Sequence, residues 1–241
     1  MIKKLHYVWL GGGKIPASVK SSIRTWKKHC PDWEIVRWDE TNFDTQRYPW
    51  VREAIEQGKY AFAADFIRLF VLYHEGGAYL DTDVDVLRPL DDGVLAHGFV
   101  CGVQVPIVES KDEIYNRKSL QTGFLYSEKG HPLPLVALRE LYDEGQRHFV
   151  HPDGTQETMP VDIRLMSVFI DHFGAVPDDR TQMLHDDIML YDSHVFATRK
   201  SKTRDSYVVH WFDQSWTDAH GIVPLLKRFV KKHLYFIYRT Q

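Results

Sequence analysis

Gly76-Gly77-Ala78-Tyr79-Leu80-Asp81-Thr82-Asp83-Val84-Asp85 sets a helix stop, a strand and a carboxylate cluster within ten residues. Before it, residues 60–74 repeat apolar side chains at helical intervals. The glycine pair supplies the left-handed stop, and 78–80 starts a strand. Alternation along that strand predicts that Asp81 and Asp83 share one face at its end, where an α/β sheet leaves its ligand crevice open. Paired carboxylates there suit Mg²⁺ or Mn²⁺, hard cations that keep positions for phosphate oxygens, so the expected ligand is a diphosphate. Asp85, further out on the same face, is expected to support the ligands. An EF-hand loop also begins with alternating acids, but its sixth position is Val86 here and its twelfth is Asp92, which excludes a calcium sensor. Surface acids capping a strand remain the alternative.

Outward from this stretch, β and α patterns alternate. Residues 4–10 read as a first strand, Gly11-Gly12-Gly13 as a loop, 17–29 as a helix after Pro16, 33–38 as a strand and 49–57 as a short helix. Downstream, 98–105 and 121–127 read as strands, separated by a polar loop over 109–118 expected to close on substrate. Residues 133–142 and 162–172 read as helices, and 185–191 and 206–211 as short strands. The order predicts one α/β domain over 1–241, with a mostly parallel sheet flanked by helices.

Composition narrows the partners. A formal net charge of −3 lacks the positive field of a nucleic-acid binder. Two cysteines, Cys30 and Cys101, are too few for a disulfide framework and point to a reducing compartment. Gly11 interrupts the N-terminus too early for a secretory apolar core, and no stretch approaches the roughly 20 apolar residues of a membrane span. The expected location is the cytoplasm. Residues 223–241 interleave basic and large apolar side chains, a pattern that fits peripheral contact with the inner face of the cell membrane or a packing helix.

Six further residues, in four places along the chain, carry chemistry. Asp65 and Arg68 lie three apart in an apolar helix, either as a salt bridge between helix and sheet or as contacts to sugar hydroxyls and phosphate oxygens. Trp9 precedes the glycines, where its ring can stack on a nucleobase while the backbone of Val8 or Leu10 reads the base edge; a core tryptophan is the alternative. His210 is a candidate third metal ligand or a core histidine. Ser215 and Trp216 offer donors for a diphosphate.

Together these pieces resemble glycosyltransferase family 32, which carries a DXD motif and is distantly similar to glucosylating clostridial toxins. The matching stretches are His6-Tyr7-Val8-Trp9-Leu10-Gly11-Gly12, Ala64-Asp65-Phe66-Ile67-Arg68, Gly76-Gly77-Ala78-Tyr79-Leu80-Asp81-Thr82-Asp83 and the segment from His210 to Trp216. Ala64 departs from the serine common in relatives. The resemblance implies a GT-A fold, retention of anomeric configuration and a nucleoside-diphosphate sugar donor, with UDP favoured by Val8-Trp9 and GDP-mannose open. It implies Mn²⁺ or Mg²⁺ on Asp81, Asp83 and His210, and nucleotide-sugar contacts from Tyr79 and Gln121 besides those above. It also implies a glycan or lipid-linked oligosaccharide acceptor, in bacterial capsule, exopolysaccharide or lipopolysaccharide synthesis. A glycoside hydrolase or a noncatalytic carbohydrate- or metal-binding module are the competing readings.

Overall fold

The computed structural model describes residues 1–105 and 118–212. Most of the loop expected over 109–118, together with Ser215, Trp216 and 223–241, lies outside the described residues. In chain order the elements are β1 (Lys4–Val8), α1 (Ala17–His29), β2 (Glu34–Trp38), α2 (Pro49–Glu56), α3 (Tyr60–Glu75), β3 (Gly77–Leu80), β4 (Val84–Val86) and β5 (Phe99–Gln104). There follow β6 (Ser119–Leu120), β7 (Phe124–Ser127), α4 (Pro132–Tyr142), α5 (Val161–Phe173), β8 (Gln182–Leu184), β9 (Ile188–Tyr191), β10 (Phe196–Thr198) and β11 (Val208–His210).

The main sheet runs β2-β1-β3-β7-β5-β9-β8, with β6 beside β5. Its β1–β2, β1–β3 and β5–β9 pairings are parallel, and β7 joins β3 to β5 through antiparallel ladders. The expected α/β class holds, with the parallel strands pointing their C-terminal ends the same way on either side of β7.

Alternation divides the core between the sheet's two faces. Val8, Tyr79, Phe99, Cys101, Leu125 and Leu190 point to the face covered by α2 to α5, while Leu5, Tyr7, Ala78, Leu80, Val100 and Tyr126 point to the face covered by α1 and a second, small sheet. Helix α3 has no glycine or proline and buries Phe62, Phe66, Ile67, Leu69 and Leu72, so it is apolar nearly all round and lies between the sheet and its neighbouring helices. Each such fully buried side chain contributes roughly 1.5–3 kcal/mol before entropy is counted.

Helix α3 stops where expected. Gly76 and Gly77 adopt φ of 67° and 97°, and a Cβ on Gly77 would sit 2.7 Å from the Lys4 carbonyl, so β3 can enter the sheet beside β1 only with glycine there.

The second sheet, β10-β11-β4, departs from the sequence reading. Only 206–211 was expected as a strand in this region, and residues 84–86 were read as the tail of the acidic motif. Instead β4 pairs antiparallel with β11, placing His210 opposite Val84. Two other expected strands begin late. Residues 121–123 form a turn before β7, and 185–187 form a short 3₁₀ turn with Asp186 and Asp187 at positive φ before β9.

Candidate active site

Asp81 and Asp83 come together through a turn. The strand ends at Leu80, the Val84 N–H donates to the Asp81 carbonyl (3.0 Å), and this closure, in place of the expected strand alternation, turns both carboxylates toward one point. The Asp81 N–H donates to the Gly123 carbonyl (2.9 Å), fixing the turn to the start of β7.

His210 arrives from β11. Its Nε2 lies 3.1 Å from Asp83 Oδ1 and 3.9 Å from Asp81 Oδ2. Its ring stacks on Phe212, with centroids 3.8 Å apart. The opposite wall is Gly123, where a Cβ would fall 2.7 Å from His210 Nδ1. Burial pushes the imidazolium toward a lower pKa, but the Asp83 charge and hydrogen bond, with Asp81, outweigh it and raise the net value.

The three side chains fit a small divalent ion. Each offers a ligand atom, all within 4.8 Å of one another. With bonds of roughly 2.1 Å, adjacent ligands of an octahedral ion lie about 3 Å apart, close to the His210–Asp83 separation. Asp81 and Asp83 are 24% and 19% exposed, open enough for a ligand and shielded enough to hold it. Asp85 is buried and accepts from the Trp211 indole N–H (2.9 Å), while the Trp211 backbone N–H donates to the Asp83 carbonyl (3.1 Å).

Behind the carboxylates lies a buried cation. Arg68 Nη2 contacts Asp65 Oδ1 (2.6 Å) and Asp81 Oδ1 (3.3 Å), Nη1 donates to the Thr122 carbonyl (2.7 Å), and the guanidinium sits 4.7 Å from the Tyr79 ring centre. Burial opposes the Arg68 charge, but Asp81, Tyr79 and Asp65 raise its pKa, so it stays protonated. Asp65 is pushed up to about 7 by burial, against the pull of Arg68. The salt bridge and the site are therefore one assembly, since the guanidinium that pairs Asp65 also touches a candidate metal ligand.

Two residues sit deeper than the resemblance implies. Gln121 is fully buried; its Oε1 accepts from the Gly123 N–H (2.8 Å) and its Nε2 faces the Ala197 carbonyl at 3.5 Å. That makes it the brace of the 121–123 turn in place of the expected sugar contact. Tyr79 is also buried, and its hydroxyl donates to Asp81 Oδ1 (2.9 Å), so it orients a carboxylate. Burial holds that phenol protonated, as the donor role requires. Val8 and Leu10 bury their side chains in the core. Trp9 is half-buried, with its backbone N–H on the Trp38 carbonyl (2.9 Å) and its indole N–H on the Gly13 carbonyl (2.8 Å).

The structure adds residues the sequence did not single out. Tyr60, exposed at the start of α3, rests its ring against Gly11, where a Cβ would come within 2.8 Å. Asp162 in the first turn of α5 accepts from Ser119 Oγ (2.8 Å) and Gln104 Nε2 (3.1 Å), and its charge reaches Arg68 and Asp65. Neither carries a spacing signal. Both are brought near the site by the parallel strands ending on one side.

Residues 16–99 match the glycosyltransferase sugar-binding region containing DXD motif. Over that segment the chain is similar to DXD-containing glycosyltransferases. Among curated relatives, inositol phosphoceramide mannosyltransferase 1 of Schizosaccharomyces pombe is 26% identical over 115 residues, 45% of this chain and 36% of that protein. Inositol phosphoceramide mannosyltransferase 2 of the same yeast is 34% identical over 95 residues, 37% of this chain and 27% of that protein. The chain thus matches about a third of the length of these relatives. Among solved structures, PaToxG glycosyltransferase is similar at a TM-score of 0.45 and 19% identity, over 71% of this chain and 70% of that one.

Proposed function

We propose that the protein transfers a hexose from a nucleoside-diphosphate sugar to a glycan or lipid-linked acceptor, with retention of configuration and on a GT-A scaffold. The observation that carries this reading is the convergence of Asp81, Asp83 and His210 beside the buried Asp65–Arg68 pair. A divalent Mn²⁺ or Mg²⁺ bound by those three residues would supply Lewis-acid neutralisation of the charge that grows on the departing diphosphate.

The chain's own residues prepare the rest. Tyr79 and Arg68 fix the Asp81 carboxylate, and Asp65, held in place by Arg68, accepts hydroxyls of the donor sugar. Trp9 and the Val8–Leu10 backbone, beside the Gly11–Gly13 loop, receive the base. Ser215 and Trp216 are assigned to the phosphates by the family resemblance. In a front-face transfer the leaving phosphate oxygen takes the acceptor's proton, so no protein base is assigned. A hydrolase pair works from carboxylates facing each other roughly 5–9.5 Å apart across a cleft. Here both aspartates instead approach the same histidine nitrogen. The mannosyltransferase relatives make GDP-mannose a donor to test beside UDP-hexoses, and an inositol-containing lipid an acceptor to test beside bacterial polysaccharides.

A thermal-shift series with UDP and GDP, each with and without Mn²⁺, tests the reading, because a ligand raises stability only by binding the native state. The expected result is stabilisation by one nucleotide that requires Mn²⁺ and disappears in Asp83→Ala, with sugar transfer by that variant reduced at least about 100-fold. Metal-independent stabilisation, or normal transfer by Asp83→Ala, contradicts it.

A further inference from the structure

Seven lysines and arginines fall within the first 31 residues, which contain no aspartate or glutamate, although the whole chain carries a net charge of −3. On α1, Lys20, Arg24, Lys27 and Lys28 are all exposed, and their spacing puts them within one narrow arc. The helix buries the opposite side through Val19, Ser22 and Trp26. Lys14, just ahead of the helix, is exposed as well. None of these five cations forms an ion pair among the described residues, whereas Lys3 and Lys4 pair with Asp32 and Glu75.

A cleft of about 560 Å³, with aromatic and aliphatic side chains set among polar groups, adjoins the stripe between α1 and the outer strand β2. Tyr7, Ile23, Trp33 and Ile35 line it, with Lys27 among them. Glu34, the nearest strand acid by sequence, alternates away from Ile35 and acts on Lys4 on the sheet's other face. The surface therefore joins uncompensated cations to an aromatic and aliphatic recess. Phosphates in a bilayer's headgroup layer complement the stripe, and the acyl boundary beneath them complements the recess. A rigid polyanion would match the first feature and leave the second unused. The excess acid on the rest of the molecule turns this face toward an anionic surface during approach.

We infer that the outer face of α1, with the β2 cleft, docks the protein on an anionic lipid surface. Docking there is independent of the transfer reaction, since none of these side chains belongs to the Asp81–Asp83–His210 site.

The test is sedimentation of the full chain with vesicles of phosphatidylcholine containing phosphatidylglycerol, against phosphatidylcholine alone. Each basic residue held near such a surface is worth roughly fivefold in partitioning. The unaltered chain is expected to bind only the anionic vesicles and to release as salt rises. The variant Lys20→Glu/Arg24→Glu/Lys27→Glu/Lys28→Glu is expected to bind at least roughly 500-fold more weakly while keeping its melting temperature and its nucleotide response. The comparison variant Lys227→Glu/Arg228→Glu/Lys231→Glu/Lys232→Glu should retain most binding. No binding by the unaltered chain overturns the inference. So does undiminished binding by the α1 variant, loss confined to the C-terminal variant, or preference for short RNA duplexes over anionic vesicles.

Discussion

Gly123 decides where His210 stands. Any Cβ at that position would press on the imidazole at 2.7 Å and on Gln121 Oε1 at 2.9 Å, so the glycine keeps the ring within reach of both aspartates. Its importance cannot be read from sequence, because the contact joins β11 to a turn 87 residues earlier and leaves no local pattern. Asp81 and Asp83 were legible because their motif is short and contiguous, although the turn that aims them was read as a strand. His210 was legible as a candidate, and the β4–β11 register supplied its partner. Its raised pKa carries a pH prediction. Without metal, the folded-state proton on Nε2 is retained above the usual histidine value near 6.5, and it must leave before that nitrogen can bind a cation. Mn²⁺ affinity should therefore increase as pH rises through the raised pKa and then level off, with proton release detectable by calorimetry in buffers of different ionisation enthalpy. Affinity that is flat from acid to neutral pH, or a His210→Gln variant with the same pH profile, would remove His210 from the site.

At the scale of elements, the site depends on how α1 grips β4. Trp26 Nε1 donates to the Val84 carbonyl (2.7 Å), and Thr25 Oγ1 accepts from the Val86 N–H (3.0 Å), so the helix satisfies both ends of a three-residue strand. Such a strand has little pairing of its own. The boundaries of α1 and α3 follow from their apolar period and the residues that flank them, and both were legible. Strands β4, β6, β8 and β10 were not, since two or three residues show no period and depend on tertiary partners. Trp26→Phe should destabilise the protein by about 1–3 kcal/mol, from the unsatisfied buried carbonyl and lost packing. Its Mn²⁺ affinity should also fall, because Val84 links Asp83 to β11. Chemical denaturation and a Mn²⁺ titration check both parts, and a change below about 0.5 kcal/mol would show that α1 does not anchor the strand.

For the whole molecule, the mixed sheet makes the arrangement possible. Strands β1, β3 and β5 point the same way although an antiparallel β7 lies between β3 and β5. Their C-terminal ends gather Trp9, Asp81 and Gln104 on one side, and α3 brings Tyr60, Asp65 and Arg68 to it. The α/β class was legible from alternating periods. The insertion of β7 was not, because strand order is set by which faces pack and not by local propensity. On the proposed reading, this edge binds a divalent cation through Asp81, Asp83 and His210, and through it a diphosphate. Anomalous diffraction near the manganese edge, from crystals soaked with Mn²⁺ and UDP or GDP, measures that directly. A single strong peak bounded by those three side chains and the nucleotide's phosphates is the predicted result. A peak elsewhere, or a nucleotide bound with no manganese beside these aspartates, would contradict the claim.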